Sequence, residues 1–268
     1  MKNTFGFIGT GNMGGALVKA AVKRMDAASV FVANRSPQKA AALAQALGCT
    51  VTENGWIAEN CGFIFLGVKP QMMEGLLARL APVLAARKDE FVLVSMAAGL
   101  TMGSVQRMAG GDYPVIRIMP NTPVMVGKGM IQYCHNEFVS EDDIKSFLDD
   151  MCYAGRIDQI PESLIDAASA LSGCGPAFMY MFLEAMADGG VACGLTREKA
   201  LDYAAATMAG AAEMVLTSQQ HPGALKDAVC SPMGSTICGL RALEEHSFRA
   251  AAMDCVIATY QRNKEMGK

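Results

Sequence analysis

The chain has 268 residues, of which 51% are hydrophobic and 18% charged. At about 150 residues per domain that is room for two domains, and the composition excludes wholesale disorder. A formal net charge of −3 with no basic stripe excludes an ordinary nucleic-acid binder.

The mean hydropathy is +0.23. The longest uncharged runs, 91–106 and 167–183, are both broken by Gly or Pro. Both fall short of about 18 residues, so no membrane span is expected. Residues 1–8 lack the apolar stretch of a signal peptide. Nine cysteines without CxxC or zinc-ligand spacing read as reduced, mostly buried thiols of a cytoplasmic protein, with no metal site. The Cys134-His135 pair is adjacent in the chain, where two side chains seldom face each other productively.

From the N-terminus, strand and helix signals alternate. Strands are expected at 4–8, 30–33, 63–66, 91–95, 115–118 and 130–134, and helices at 16–25, 38–47, 72–86 and 141–151. Apolar runs alternating with helices predict an α/β fold, a doubly wound, mostly parallel sheet with helices on both faces. After about Pro161 the strand signals stop. The remainder is rich in Ala, Met and Leu at helical spacing and predicts four to six helices. Breaks are expected at 188–190, 194–196, 218–222 and 230–234. Domains are therefore expected at 1–160 and 161–268. The Met and Ala surplus of the second exceeds what a private core needs, which points to a helix-to-helix subunit interface.

Gly9-Thr10-Gly11-Asn12-Met13-Gly14 is a G-x-G-x-x-G turn that directly follows an apolar strand and opens a helix. Gly9 permits the tight turn, Gly11 lets backbone approach a pyrophosphate, and Gly14 lets helix pack on strand. The helix N-terminus then offers free N–H groups to the phosphates. Twenty residues past Gly14, where an NAD site usually carries an acid, stand Asn34, Arg35 and Ser36. Arg35 can pair with a 2′-phosphate, and its neighbours can donate hydrogen bonds, so NADP(H) is expected over NAD(H). Val68-Lys69-Pro70 and Met96-Ala97-Ala98 close later strands at the carboxyl edge, where ligands of open parallel sheets bind. The second loop is small enough to leave room for a flat nicotinamide.

In the helical half, Ser231-Pro232 reads as an N-cap followed by Pro at the first helical position. The N–H groups of Met233, Gly234, Ser235 and Thr236 then form an anion cradle for a small carboxylate. Thr236 adds a hydroxyl from the same turn.

The chain resembles the pyrroline-5-carboxylate reductase family over nearly its whole length. The resemblance is carried by Phe7–Gly14, Val68–Pro70, Ser95–Gly99, Met119–Val124, Leu171–Phe178 (LSGCGPAF), Ala187–Gly190 (ADGG), and His221–Thr236 with Leu243-Glu244. It implies an N-terminal Rossmann domain and a C-terminal helical domain that makes dimers with interlocked helices, assembled further into decamers. It implies reduction of 1-pyrroline-5-carboxylate to L-proline with NADPH, by hydride transfer to C5 of the cyclic imine. Carried over residue by residue, it places the cofactor on Ile8 to Met13, Asn34, Arg35, Asn54, Val68 to Pro70 and Met96 to Ala98. The substrate carboxylate falls on Ser231–Thr236, with Thr236 on the ring nitrogen, and the active site at the domain junction. Three positions depart from the family pattern: Ala228 replaces an amide side chain, Met233 a small residue and Cys174 a serine. Two alternatives stay open, a reductase of a related cyclic imine and a non-catalytic NADP(H)-binding redox sensor. A β-hydroxyacid dehydrogenase would need a lysine on the first long helix of the second domain, and none precedes Lys199 there.

Overall fold

The computed structural model describes residues 3–266. They fall into two compact units, one of residues 3–174 with 259–266 and one of Gly175–Ala258.

In the first unit the chain runs β1 (Phe5–Ile8), α1 (Asn12–Ala21), β2 (Val30–Ala33), α2 (Pro37–Leu47), β3 (Thr50–Val51), α3 (Asn54–Asn60), β4 (Phe63–Leu66), α4 (Pro70–Ala86), β5 (Val92–Ser95), α5 (Met102–Ala109), β6 (Val115–Met119), β7 (Gly129–His135), α6 (Glu141–Asp150) and β8 (Gly155–Gln159). A short helix α7 (Ile165–Ala168) follows. The strand order is β3-β2-β1-β4-β5-β6-β7-β8. Every pairing is parallel except β6 with β7. The order reverses at β1, the switch point at which such sheets bind ligands.

Period-two alternation sorts the core into two layers. Phe5, Phe7, Phe63, Phe65, Val92 and Val94 face one side with α1, α2 and Phe147 of α6. Ile8, Ile64, Leu66 and Leu93 face the other with α3, α4 and α5. Phe7 and Phe65 stack across β1 and β4 with centroids 4.2 Å apart. Burying each of these rings stabilises the unit by roughly 2 kcal/mol, which holds the two central strands in register under the glycine-rich turn.

Several elements differ from the sequence reading. β3 has two residues and is exposed, too short for an apolar run to reveal. β8 is polar and half exposed, as an edge strand usually is. α3 and α5 were not foreseen. Helix α1 begins at Asn12 rather than Ala16, because the glycines that read as loop form its first turn.

Residues 161–174 pack on the sheet. Glu162 Oε1 accepts from Met102 N (2.8 Å) and Arg117 Nη1 (3.1 Å), and Arg117 Nη2 lies 3.5 Å from Asp166 Oδ1. Two blocks that carried the resemblance meet where Asn121 Nδ2 donates to Ser172 O (3.0 Å) and Ser172 Oγ donates to Gln132 Oε1 (2.9 Å).

In the second unit α8 (Gly175–Ala192), α9 (Arg197–Ser218), α10 (Pro222–Ala228) and α11 (Ser235–Glu245) lead into α12 (Phe248–Met266), whose last turns belong to the first unit. The expected break at Asp188-Gly189-Gly190 is absent, since α8 runs through it. A Cβ at Gly190 would meet that of Ala200 at 3.2 Å, so the glycine lets α9 lie close rather than ending α8. The breaks at 194–196, 218–222 and 230–234 are present, with Thr196 capping α9 through its side chain.

Of the nine cysteines only Cys49, Cys61 and Cys134 are buried. The expectation of mostly buried thiols fails because Cys174, Cys193 and Cys230 sit in connections next to helix ends and Cys238 and Cys255 on open helix faces.

Candidate active site

The first candidate site lies at the carboxyl ends of β1, β2 and β4, in a cleft of about 940 Å³. Gly9 takes φ +100°, and a Cβ there would lie 2.5 Å from the carbonyl oxygen of Gly67. A Cβ on Gly14 would sit inside contact distance of the Gly9 carbonyl oxygen. These two positions accept only glycine, so β1, α1 and the end of β4 close on one another. At Gly11 a Cβ would meet nothing within 4 Å, leaving the backbone open on the ligand side.

Gly11 is the N-cap of α1, with no side-chain cap and no acid in the first turn. The helix therefore presents free N–H groups and its partial positive charge to the cleft. Thr10 is 8% exposed, and its Oγ1 has no hydrogen-bond partner. A buried hydroxyl without a partner inside a phosphate turn is what a missing phosphate oxygen would satisfy. The residues present thus fit a dinucleotide.

Of the expected cofactor residues, Ile8, Gly9, Gly11, Asn34, Arg35, Asn54, Val68 and Lys69 line this one cleft. Thr10, Asn12, Met13 and Gly14 complete the turn and first helical turn behind it. Ser36 is the N-cap of α2, its hydroxyl 3.3 Å from Gln38 Oε1. Lys69 and Pro70 are the N-cap and first residue of α4. Met96, Ala97 and Ala98 follow β5 outside the lining of this cleft, and Ala97 is buried. Gln71, Met72, Leu76, Arg79 and Glu53 also line the cleft and were missed by sequence reasoning. The i, i+4, i+7 spacing of Met72, Leu76 and Arg79 was the available signal.

The second candidate site is the turn before α11. The sequence assignment of Ser231 as N-cap and Pro232 as first helical residue is corrected: α11 starts at Ser235 with Gly234 as N-cap. Ser231–Gly234 form a tight turn closed by Gly234 N to Ser231 O at 3.0 Å. Pro232 sits at its second position and Met233 at its third, with φ +60°. The same Ser-Pro pair that can open a helix also opens a turn with a left-handed third residue, and Gly234 decides between them. A Cβ on Gly234 would collide with Ser231 Oγ. The Gly234 N–H is thereby engaged, and the donors left for an anion are the first-turn N–H groups of α11, Ser235 and Thr236 among them. No side chain caps them, and no acid lies in that turn. Ser231, Met233, Ser235 and Thr236 are exposed.

His221 caps α10 by accepting from Gly223 N at 3.0 Å. The Cys134-His135 pair does not form a nucleophile. Burial pushes the Cys134 thiol up to about 11, and His135 is engaged by Asn136 O and Gln159.

Known proteins agree with this architecture. Residues 162–266 match the family described as pyrroline-5-carboxylate reductase dimerisation. Residues 4–99 match the one described as NADP oxidoreductase coenzyme F420-dependent. The pyrroline-5-carboxylate reductase of Escherichia coli is 38% identical over 271 residues, with all of both chains covered. That of Pisum sativum is 37% identical, over 98% of this chain and 96% of the other. The crystal structure of Plasmodium falciparum pyrroline carboxylate reductase with NADP bound aligns over 100% of both chains with TM-score 0.89 and 34% identity. On this full-length similarity, the chain belongs to the pyrroline-5-carboxylate reductase family.

Proposed function

We propose that this oxidoreductase reduces 1-pyrroline-5-carboxylate to L-proline, the closing step of proline biosynthesis, with NADPH as the hydride donor. The observation that carries the reading is the cleft at the β1–β2–β4 edge, where an uncapped helix N-terminus, Arg35 and Lys69 converge on one space. Among the described residues neither cation makes an ion pair, which leaves both to a phosphorylated ligand.

When bound, the cofactor supplies a hydride that ends on C5 of the imine. The chain's own work is binding and electrostatics. The glycine turn and α1 hold the pyrophosphate. Asn34, Arg35 and Ser36 hold an adenosine 2′-phosphate, which favours NADPH over NADH because no carboxylate ends β2. The loop Met96-Ala97-Ala98 leaves room for the nicotinamide. On the second unit the first turn of α11 holds the substrate carboxylate, with Ser231, Met233 and Gly234 shaping the turn. Thr236 hydrogen-bonds the ring nitrogen as it changes from imine to amine. A protonated cyclic imine is already a strong electrophile, so this chemistry needs no strong general acid.

The helical unit exposes Met179, Tyr180, Met181, Tyr203, Met214 and Leu216, among other large apolar side chains. A patch of that kind is an interface, and we assign it to a second copy of the chain, a dimer assembled further into decamers. No helix of the described residues is long and apolar enough to cross a membrane, and nine cysteines without CxxC spacing suit a reducing cytoplasm.

The test mixes purified protein with NADPH and 1-pyrroline-5-carboxylate and follows the nicotinamide absorbance, with NADH and the six-membered imine in parallel. Rapid oxidation with the five-membered imine and faster turnover with NADPH are expected. Tight NADPH binding without turnover would overturn the assignment.

A further inference from the structure

The cleft holds a cation that the glycine turn and the β2 end do not account for. Arg79 lies on the third turn of α4, ten residues into the helix, and is exposed. It lines the same cleft as Arg35 and Lys69. Met72, Leu76 and Arg79 are spaced i, i+4, i+7 and form one stripe of α4 along the cleft wall. Met72 is 40% exposed, while Leu76 is buried in the core beneath. A long helical side chain points back toward the helix N-terminus. Arg79 does so over Gly75, where an added Cβ would lie 3.9 Å from its Nη1. Its guanidinium therefore lies one turn back along α4, at the level of Gly75, on the cleft wall. Among the described residues Arg79 makes no ion pair, not even with Glu53, the one acid lining the cleft.

The two arginines approach from opposite sides of the sheet. Helix α2, which follows Arg35, packs in the layer with Phe5 and Phe7, whereas α4 packs in the layer with Ile8 and Leu66. The β2 end carries Asn34, Arg35 and Ser36, the donors suited to a phosphate. The α4 wall offers apolar side chains and a planar cation, which is what the face and edge of a purine need.

We infer that Arg79, with Met72 and Leu76, forms the purine subsite of this cleft, the guanidinium lying against the adenine ring rather than on the 2′-phosphate. The inference rests on the dinucleotide reading of the cleft. It makes Arg79 a determinant of affinity for every adenine dinucleotide and leaves the choice between NADPH and NADH to Arg35.

Equilibrium binding tests it without turnover. Trp56, the chain's one tryptophan, adjoins the cleft residue Gly55 and packs on Phe31 with centroids 4.5 Å apart. Its fluorescence is titrated with NADPH, NADH, ADP-ribose and 2′-phospho-ADP-ribose. Arg79→Met keeps an unbranched helix former at an exposed position and removes the cation, and melting curves check that the fold is intact. The expected result is a loss of about fivefold for all four ligands, with the NADPH-to-NADH ratio kept. Arg79→Lys falls between, since the charge stays and the plane goes. Arg35→Ala, as comparison, loses affinity only for the two 2′-phosphorylated ligands. Weakening of those two alone in Arg79→Met would make Arg79 a phosphate ligand and overturn the inference, and unchanged affinities would overturn it as well. If the unmodified protein bound none of the four, the dinucleotide reading itself would fall, a result distinct from either.

Discussion

At the scale of single residues, Met233 is one of three non-glycine residues with positive φ among those described, with Gln219 and Ser247. A non-glycine residue at φ +60° is strained by about 1–2 kcal/mol, and its side chain is 99% exposed in this chain, so packing within the chain returns nothing. Met233→Gly relieves the strain, less the roughly 0.5–1 kcal/mol that glycine loses through its freer unfolded state. A melting temperature higher by about 1–3 °C is expected, read by calorimetry, and a lower one would contradict the turn geometry. Thr236 carries the opposite kind of prediction. On the proposed reading, Thr236→Ala removes one hydrogen bond to a nitrogen that changes character in the reaction. The kcat should drop by about 10- to 100-fold with NADPH affinity unchanged.

The buried thiols give a pH dependence. Burial raises the Cys61 thiol from 9.0 to about 12, against a smaller lowering by Arg87. Cys134 is raised from 9.0 to about 11, again chiefly by burial. Between pH 9 and those values the unfolded chain has lost protons that the folded chain keeps, so the unfolded state binds fewer protons and stability falls as pH rises. Urea midpoints should decline through that window and decline less steeply in Cys61→Ala. A slope that the substitution leaves unchanged would contradict the burial.

At the scale of elements, the tie between β6 and the segment after β8 is an ion pair on a buried arginine, with the Arg117 side chain 4% exposed and that of Glu162 28% exposed. Removing one partner of such a pair is costly, by about 3 kcal/mol for a fully buried one. Asp166 stays 3.5 Å away and limits the loss. Glu162→Ala should therefore destabilise the first unit by about 1–3 kcal/mol in urea unfolding, with Glu162→Gln milder because an amide oxygen can still accept from Met102 N.

How far the sequence showed these elements follows from burial. Strands of the sheet centre, such as Val30–Ala33 and Phe63–Leu66, are apolar on both faces and stand out as runs. β8 and β3 lie at the sheet edges, where polar residues hide them. Gly189-Gly190 read as a break because sequence alone cannot see Ala200 waiting on α9. The cleft beside β1, β2 and β4 was half legible: the glycine turn and Asn34–Arg35 are local in sequence. Arg79 and Glu53 reach the cleft through tertiary packing of α3 and α4. At Ser231-Pro232 the local signal was real but served two turns equally well, and a steric contact two residues on chose between them.

At the scale of the whole molecule, α8 is apolar around most of its surface, yet Ala187 is its one buried residue among those described, and Met181 is 76% exposed. A helix apolar all round belongs inside a larger core, which in the proposed dimer is supplied by a second chain. Sedimentation should find a dimer or a multiple of it, with a melting temperature that rises with protein concentration. Met181→Glu should shift the population toward monomer, and a monodisperse monomer of unaltered protein at micromolar concentration would contradict the interface.

Hydride transfer to C5 is tested most directly with NADPH carrying deuterium at the transferable C4 position. Incubation with 1-pyrroline-5-carboxylate, followed by mass spectrometry and NMR of the product, should give L-proline with one deuterium, at C5. Proline without deuterium, deuterium at another carbon, or no proline while NADPH stays bound would contradict it.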